Sequence, residues 1–191
     1  MSLVPAFEIG IWNAWIFMVC YLLTMPLLRL LSKDALEKSD VSAPNKLYNK
    51  KENGIVAFYQ YSFLLAFIYS IFLPLKLGTT WFYVGLPICL LGFALLLIAY
   101  LYFAAAPPGK PLTRGLHRYS RHPVYLTQII FFIGIGITTA SWVFLVFTLL
   151  RTISSLMLVI PEERYCIDTY GGTYREYINK TPRWLGLPKT G

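Results

Sequence analysis

The chain has 191 residues, of which 57% are hydrophobic and only 14% are charged, and its mean hydropathy is +0.56. These values exclude an ordinary soluble domain and indicate an integral membrane protein. The formal net charge of +8 does not indicate a nucleic-acid-binding face, because the cations are distributed among separate loops.

Apolar segments long enough to cross a bilayer predict about five transmembrane helices, since a hydrocarbon layer of roughly 30 Å needs about 20 apolar residues. In chain order they cover residues 9–31, 55–75, 81–102, 125–140 and 141–160. Only Ala140 and Ser141 separate the last two segments, which predicts a tight helical hairpin. The predicted fold is therefore an all-α integral membrane protein with a C-terminal helical hairpin.

The loop charges predict the orientation of the chain. The first connection, the third connection and the tail are rich in Lys and Arg, the second contains Lys76 alone, and the fourth contains neither. Five spans place the three basic regions on one side, which the positive-inside rule assigns to the cytoplasm. We therefore expect the N-terminus outside and the C-terminus in the cytoplasm.

The third loop ends in the hexapeptide SRHPVY, residues 120–125, at the start of an apolar segment. His117, His122, Arg121 and Tyr125 either grip an anionic or nucleotide-like ligand or form an interfacial belt against lipid head groups. The two histidines are five residues apart with no nearby carboxylate cluster in the same segment, so we expect no metal site.

Two adjacent acids, Glu162 and Glu163, follow the last apolar segment. They are either favourable acids in the first turn of a helix that begins at Pro161, or part of a mixed-charge pocket. Two spans separate them from Arg121 and His122, so the hairpin returns the chain to the face it left. We therefore expect these two pairs to be neighbours at the cytoplasmic face.

Arg151 lies in the middle of the fifth segment, where a bare guanidinium is costly unless it faces a partner or a cavity. Thr148, Arg151, Thr152 and Ser155 share one helix face, and Gln128 of the preceding segment is also expected to face inward. Arg151 is either paired internally or in contact with a substrate, and the sequence leaves both open.

Three motifs appear in order from residue 110 to residue 184: RHPVY at 121–125, the paired acids, and YGGTYREY at 170–177. In this region the chain resembles the isoprenylcysteine carboxyl methyltransferases and the related membrane phospholipid N-methyltransferases. It departs from the enzymes that act on prenylated proteins at Leu158, where those enzymes tend to carry an arginine.

The resemblance implies an enzyme that uses S-adenosylmethionine, releases S-adenosylhomocysteine, and holds the cofactor at the cytosolic face between the loop and the tail helix. Residues 1–103 would then form an N-terminal unit of three spans and residues 104–191 the catalytic region. Glu162 would hold the amino-acid or ribose end of the cofactor. The residues implied to line the rest of its pocket are Lys110, Pro111, Leu112, His117, His122, Pro123, Val124 and Tyr125.

The expected reaction is O-methylation of the C-terminal carboxylate of an isoprenylated cysteine, or of a similar lipidic acid. Arg121 or Arg151 would orient that carboxylate. The expected partners are this substrate and membrane lipids, without nucleic acid or metal. The nearest alternative is N-methylation of a phosphatidylethanolamine-type lipid, with Glu163 as general base. A small membrane transporter and an NADPH-dependent membrane reductase are alternatives of other classes.

Overall fold

The structure is a computed structural model that describes residues 8–31, 48–107 and 109–188. Most of the basic first connection, residues 32–47, lies outside these ranges. The described helices are α1 (Trp15–Leu31), α2 (Lys50–Ile71), α3 (Thr80–Ala104), α4 (Pro123–Thr138), α5 (Trp142–Tyr170) and α6 (Gly172–Lys180), with a 3₁₀ turn at Gly115–Arg118. No strand is present among the described residues beyond one isolated bridge, between Asn13 and Pro74.

Three helices, α2, α3 and α5, are long and apolar enough to cross a membrane, at 22, 25 and 29 residues. The helices α1 and α4 are also apolar but have only 17 and 16 residues. The all-helical class is therefore confirmed with three candidate spans. The count of five spans, the orientation of the termini and the division near residue 103 stay predictions.

Contacts between helix ends show that the chain alternates in direction. The Lys76 amide, between α2 and α3, donates to the Thr138 carbonyl at the end of α4, with an N–O distance of 3.2 Å. At the opposite end of the bundle, Glu52 in the first turn of α2 pairs with Arg164 of α5 at 2.9 Å. The α4–α5 hairpin thus returns to the end it left, as the sequence predicted.

The hairpin turn is as tight as its sequence predicted. Ala140 adopts a left-handed backbone conformation with φ of 52°, and the Ser141 side chain caps α5 by accepting a bond from the Phe144 amide at 3.2 Å. The turn fixes the angle between α4 and α5, and it therefore fixes how closely their far ends approach each other.

The helices α3 and α4 pack closely against each other. A Cβ atom at Gly92 would lie 2.4 Å from the Phe131 nitrogen, and one at Gly134 would lie 2.3 Å from the Cys89 nitrogen. Small residues allow membrane helices to approach this closely and to gain van der Waals contact. Phe131, and with it Ile135, is consequently buried almost completely.

The interpretation of Glu162 and Glu163 as acids in a first helical turn is wrong. The helix α5 continues through Pro161 to Tyr170, so both acids lie in the helix interior. Proline is tolerated here although it lacks one backbone donor, because side chains beyond it are held by contacts with other parts of the chain. Gly171, with φ of 56°, ends α5.

Candidate functional site

The carboxylate of Glu163 is the centre of a buried ion cluster. Its Oε1 lies 3.2 Å from Arg121 Nη1 and 3.2 Å from His122 Nε2. Arg183 donates from Nε to Oε1 at 3.1 Å and from Nη2 to Oε2 at 2.7 Å. The side chains of Arg121, His122 and Glu163 are only 10%, 8% and 7% exposed. One acid therefore compensates three cationic side chains, two of which are nearly inaccessible to water.

Glu162 faces a different set of partners beside that cluster. The Tyr125 hydroxyl donates to its Oε1, and the Tyr48 hydroxyl donates to the same oxygen at 3.5 Å. The other oxygen, Oε2, lies 3.4 Å from His122 Nδ1. His122 therefore contacts both acids, one with each ring nitrogen. The structure confirms the prediction that Arg121 and His122 of the third loop lie next to the paired acids.

The two histidines have opposite electrostatic environments. Burial lowers the pKa of His122, but its contacts with Glu162 and Glu163 outweigh burial and leave that pKa raised above its ordinary value. Burial and the positive charge of His122 lower the pKa of His117 to about 4. His122 is thus favoured as an imidazolium, whereas His117 is neutral near pH 7.

Two buried polar atoms of the third loop have no hydrogen-bond partner among the described residues. They are Nδ1 of His117 and Nε of Arg121. The His117 carbonyl accepts a bond from the Tyr177 hydroxyl at 2.7 Å, so α6 fixes the backbone beside the free ring nitrogen. Buried polar groups normally have partners, so these two atoms are open to a hydrogen bond from a water or a polar ligand.

A C-terminal strap, residues 182–186, closes over the loop. The Arg121 amide donates to the Pro182 carbonyl at 3.0 Å, and the Gly186 amide donates to the Tyr119 carbonyl at 3.0 Å. These backbone bonds place Arg183, at the middle of the strap, against Glu163.

Several site residues were missed by the sequence analysis. The Trp184 ring lies 6.2 Å from the His122 ring, so this tryptophan borders the ion cluster. Arg183 and Tyr48 contact the paired acids from the tail and from the segment before α2. For Arg183 the parity of the spans was the available signal, since it places the tail and the third loop on one face. No sequence signal pointed to Tyr48.

The structure does not connect every predicted cofactor residue to this cluster. Lys110 is exposed and Pro111 and Leu112 are half-buried. No hydrogen bond or ion pair joins these three to the ion cluster within the part of the chain that the structure describes. Pro123 is buried in the first turn of α4, and Val124 packs on the buried Leu96–Tyr100 cluster. Their assignment to a cofactor pocket stays a prediction.

Arg151 lies in a recess among α2, α4 and α5, and its side chain is almost completely buried. Its Nη1 donates to the Tyr59 carbonyl at 2.8 Å, and the guanidinium carbon lies 4.0 Å from the Tyr59 ring centroid and 5.0 Å from that of Phe132. The space that its lining residues enclose has room for about one water molecule. Its lining residues are Tyr59, Tyr125, Gln128, Ile129, Phe132, Thr148, Arg151, Thr152 and Ser155.

Tyr125 connects the recess to Glu162. The Tyr125 side chain lines the recess, while its hydroxyl donates to Glu162. Gln128 faces inward as predicted, where it accepts from the Tyr59 hydroxyl at 2.6 Å. Arg151 and Glu162 are about 16 Å apart along α5 at 1.5 Å per residue, so the recess around Arg151 lies deeper in the bundle than the paired acids.

Comparison with known proteins concerns the segment that contains most of this site. Residues 99–173 match the family model described as Phospholipid methyltransferase. The matched segment is similar to that family, and it contains the third loop, the hairpin and the paired acids. The resemblance noted from the sequence motifs is thereby confirmed for this part of the chain. The strap lies outside the match.

One relative among curated proteins is Methanethiol S-methyltransferase 1 of Bradyrhizobium diazoefficiens. It is 36% identical to this chain over 72 residues, which cover 38% of the chain and 25% of that protein. The chain therefore aligns with about a quarter of the length of the curated relative.

Proposed function

We propose that the protein is an integral membrane methyltransferase that takes its methyl group from S-adenosylmethionine and transfers it to a membrane-soluble acceptor. The observation that carries this proposal is the contact of His122 with both Glu162 and Glu163. It joins the third loop and the paired acids of the matched segment into one buried, mixed-charge site at the end of an apolar bundle.

The residues present fit that cofactor. S-adenosylmethionine carries an ammonium, a carboxylate, hydroxyls and a base, so it needs acidic, cationic and neutral polar partners in one place. The unpartnered His117 Nδ1 and Arg121 Nε supply buried polar atoms that lack partners within the described residues. We assign His117, His122, Tyr125 and Glu162 to holding the cofactor, with Lys110, Pro111, Leu112, Pro123 and Val124 lining its surroundings. When bound, the cofactor supplies an electrophilic methyl group on a sulfonium.

The work left to the protein is orientation and exclusion of water. A carboxylate acceptor is already a nucleophile, so an O–CH₃ bond forms as the S–CH₃ bond breaks, and no proton needs to be removed. Glu163 is not available as a base in this arrangement, because both of its oxygens are occupied by cationic partners. That occupation disfavours the phospholipid amine as acceptor, since an amine must lose a proton.

We therefore propose the carboxylate of an isoprenylated cysteine, or a similar lipidic acid, as the methyl acceptor. A thiol is the second candidate, favoured by the alignment with a protein named for methanethiol S-methylation. A thiol must first release its proton to water, and a nearby cation favours that ionisation by lowering the pKa of the thiol. The resulting thiolate resembles a carboxylate in being an anionic nucleophile, and an S–CH₃ bond to it forms as the S–CH₃ bond of the sulfonium breaks.

The test is transfer of label from methyl-labelled S-adenosylmethionine by the protein reconstituted in lipid nanodiscs. The acceptors are N-acetyl-S-farnesylcysteine, phosphatidylethanolamine and methanethiol, each offered separately. We expect label on the acid or the thiol, its loss in Glu162→Gln, and its retention in the exposed control Glu176→Gln. Label on the phospholipid alone would contradict the substrate assignment. No transfer to any acceptor, with no binding of S-adenosylhomocysteine by folded protein, would favour the transporter.

A further inference from the structure

We propose that the recess around Arg151 is an intramembrane subsite for a compact anionic head group, a carboxylate or a thiolate, with Arg151 as its counter-ion. The inference rests on the proposed function only where it takes this anion to be the methyl acceptor. The subsite is distinct from the ion cluster around Glu163, because about 16 Å of α5 separates Arg151 from Glu162.

Arg151 places a positive charge inside the bundle without an acidic partner among the described residues. Arg151 lies about 14 Å from the start of α5, close to the middle of a bilayer that α5 would cross. No carboxylate among the described residues lies within 4.0 Å of its guanidinium. Charged side chains at this depth normally face a partner, a cavity or a transport path. Arg151 faces a cavity and lacks an acidic partner, so an anion is the missing complement.

The guanidinium of Arg151 is held in place by its neighbours. The Tyr59 carbonyl accepts one N–H bond, and the rings of Tyr59, Phe63 and Phe132 surround the guanidinium at 4.0, 5.2 and 5.0 Å. These contacts prevent the side chain from reaching the membrane surface. A guanidinium has five N–H donors, and within the described residues only this one meets a protein acceptor. The remaining donors are available to a ligand without rearrangement of the arginine.

The hydroxyl groups in the walls of the recess already donate hydrogen bonds within the protein. The hydroxyls of Thr148, Thr152 and Ser155 donate to carbonyls of their own helix, at 3.0, 2.8 and 2.7 Å. Their protons are therefore already used, and the strong donors of the recess come from Arg151. A cationic amine would be repelled by Arg151 in surroundings of low dielectric constant. The recess thus selects the sign of the ligand charge.

The size and the position of the recess restrict the ligands that it can hold. The recess has room for about one water molecule, so a thiolate or a carboxylate displaces its lining side chains much less than a phosphodiester head group would. Tyr125 lines the recess and also bonds Glu162, so a ligand bound to Arg151 approaches the proposed cofactor site from the membrane side. An apolar tail on such a ligand can remain among the lipid chains.

The test measures binding and does not depend on turnover. Wild type, Arg151→Gln and Arg151→Lys are placed in nanodiscs and titrated with carboxyl-labelled ¹³C-decanoate, with decanethiol and with decylamine, in competition with one another. We expect saturable binding of decanoate or decanethiol by wild type, with the bound decanoate ionised in its ¹³C spectrum. Arg151→Gln should weaken this binding at least tenfold, Arg151→Lys should restore part of it, and decylamine should not compete.

Arg175→Gln is the matched control, because it makes the same substitution at an exposed position on α6. Equal binding by wild type and Arg151→Gln, absence of saturable anion binding by wild type, or competition by decylamine overturns the proposal. S-adenosylhomocysteine titrations of the same samples separate the two claims. Retained binding in Arg151→Gln shows an intact fold, whereas failure of wild type to bind it contradicts the proposed function and leaves the anion result standing.

Discussion

Replacing Glu163 by glutamine tests whether the ion cluster holds the third loop and the strap against α5. The substitution keeps the size of the side chain and removes the only charge that Arg121, His122 and Arg183 share. Two of these cations are buried, at 10% and 8% exposure, and the third is 45% exposed. Their different burial allows the expected loss to be divided among them.

Removing one partner of a buried ion pair costs about 3–5 kcal/mol, because the remaining charge stays uncompensated. The exposed Arg183 contributes about 0–1 kcal/mol, because water screens it. His122 keeps its contact with Glu162, and glutamine still accepts a hydrogen bond. The lower end of the range for breaking a buried ion pair therefore applies. We therefore expect Glu163→Gln to lower the free energy of unfolding by about 3 kcal/mol, or Tm by roughly 6–12 °C.

Thermal unfolding in detergent, followed by tryptophan fluorescence, measures this loss. Glu176→Gln is the control, since Glu176 is exposed on α6 and surface substitutions usually change stability by less than about 0.5 kcal/mol. If Glu163→Gln unfolds at the same temperature as Glu176→Gln, the ion cluster does not stabilise the fold and the reasoning fails.

Three other predictions concern pH and packing. The stabilisation by His122 is complete below its ordinary pKa of 6.5 and is lost as pH rises through its raised folded value, so Tm should fall above pH 6.5 in wild type and less in His122→Gln. His117 acts in the opposite direction, since its lowered pKa makes Tm fall from pH 6.5 towards about 4, and His117→Gln should reduce that fall. Gly92→Ala places a Cβ 2.4 Å from the Phe131 backbone and should cost about 1–3 kcal/mol in the same melts, whereas Gly54→Ala, with no neighbour within 4 Å, should be neutral or stabilising.

The sequence predicted the parts of the fold that depend on periodicity and on counting spans. Two helices between His122 and Glu163 bring the chain back to one face whatever the details of packing, and the structure has these side chains 3.2 Å apart. The face that contains Thr148, Arg151 and Ser155 was likewise predictable, because 3.6 residues per turn decide which side chains lie together.

Other features depend on contacts that a local pattern does not contain. Pro161 is typical of a first helical turn, but α5 continues through it because the acids after it are held by partners from the third loop and the strap. Arg183 lies in a tail without helical periodicity, and its position follows from backbone bonds to the third loop, such as that from Arg121 to Pro182. Tertiary contacts override local propensity at both places.

The central claim is that His122 and Glu162 form the binding site for the methyl donor and its product. Isothermal titration of detergent-solubilised protein with S-adenosylhomocysteine tests it most directly. We predict one saturable site in wild type and in Glu176→Gln, and at least tenfold weaker binding in His122→Ala and in Glu162→Gln, each checked for a cooperative melt. Folded wild-type protein that binds none, or Glu162→Gln that binds as tightly as wild type, would contradict the account.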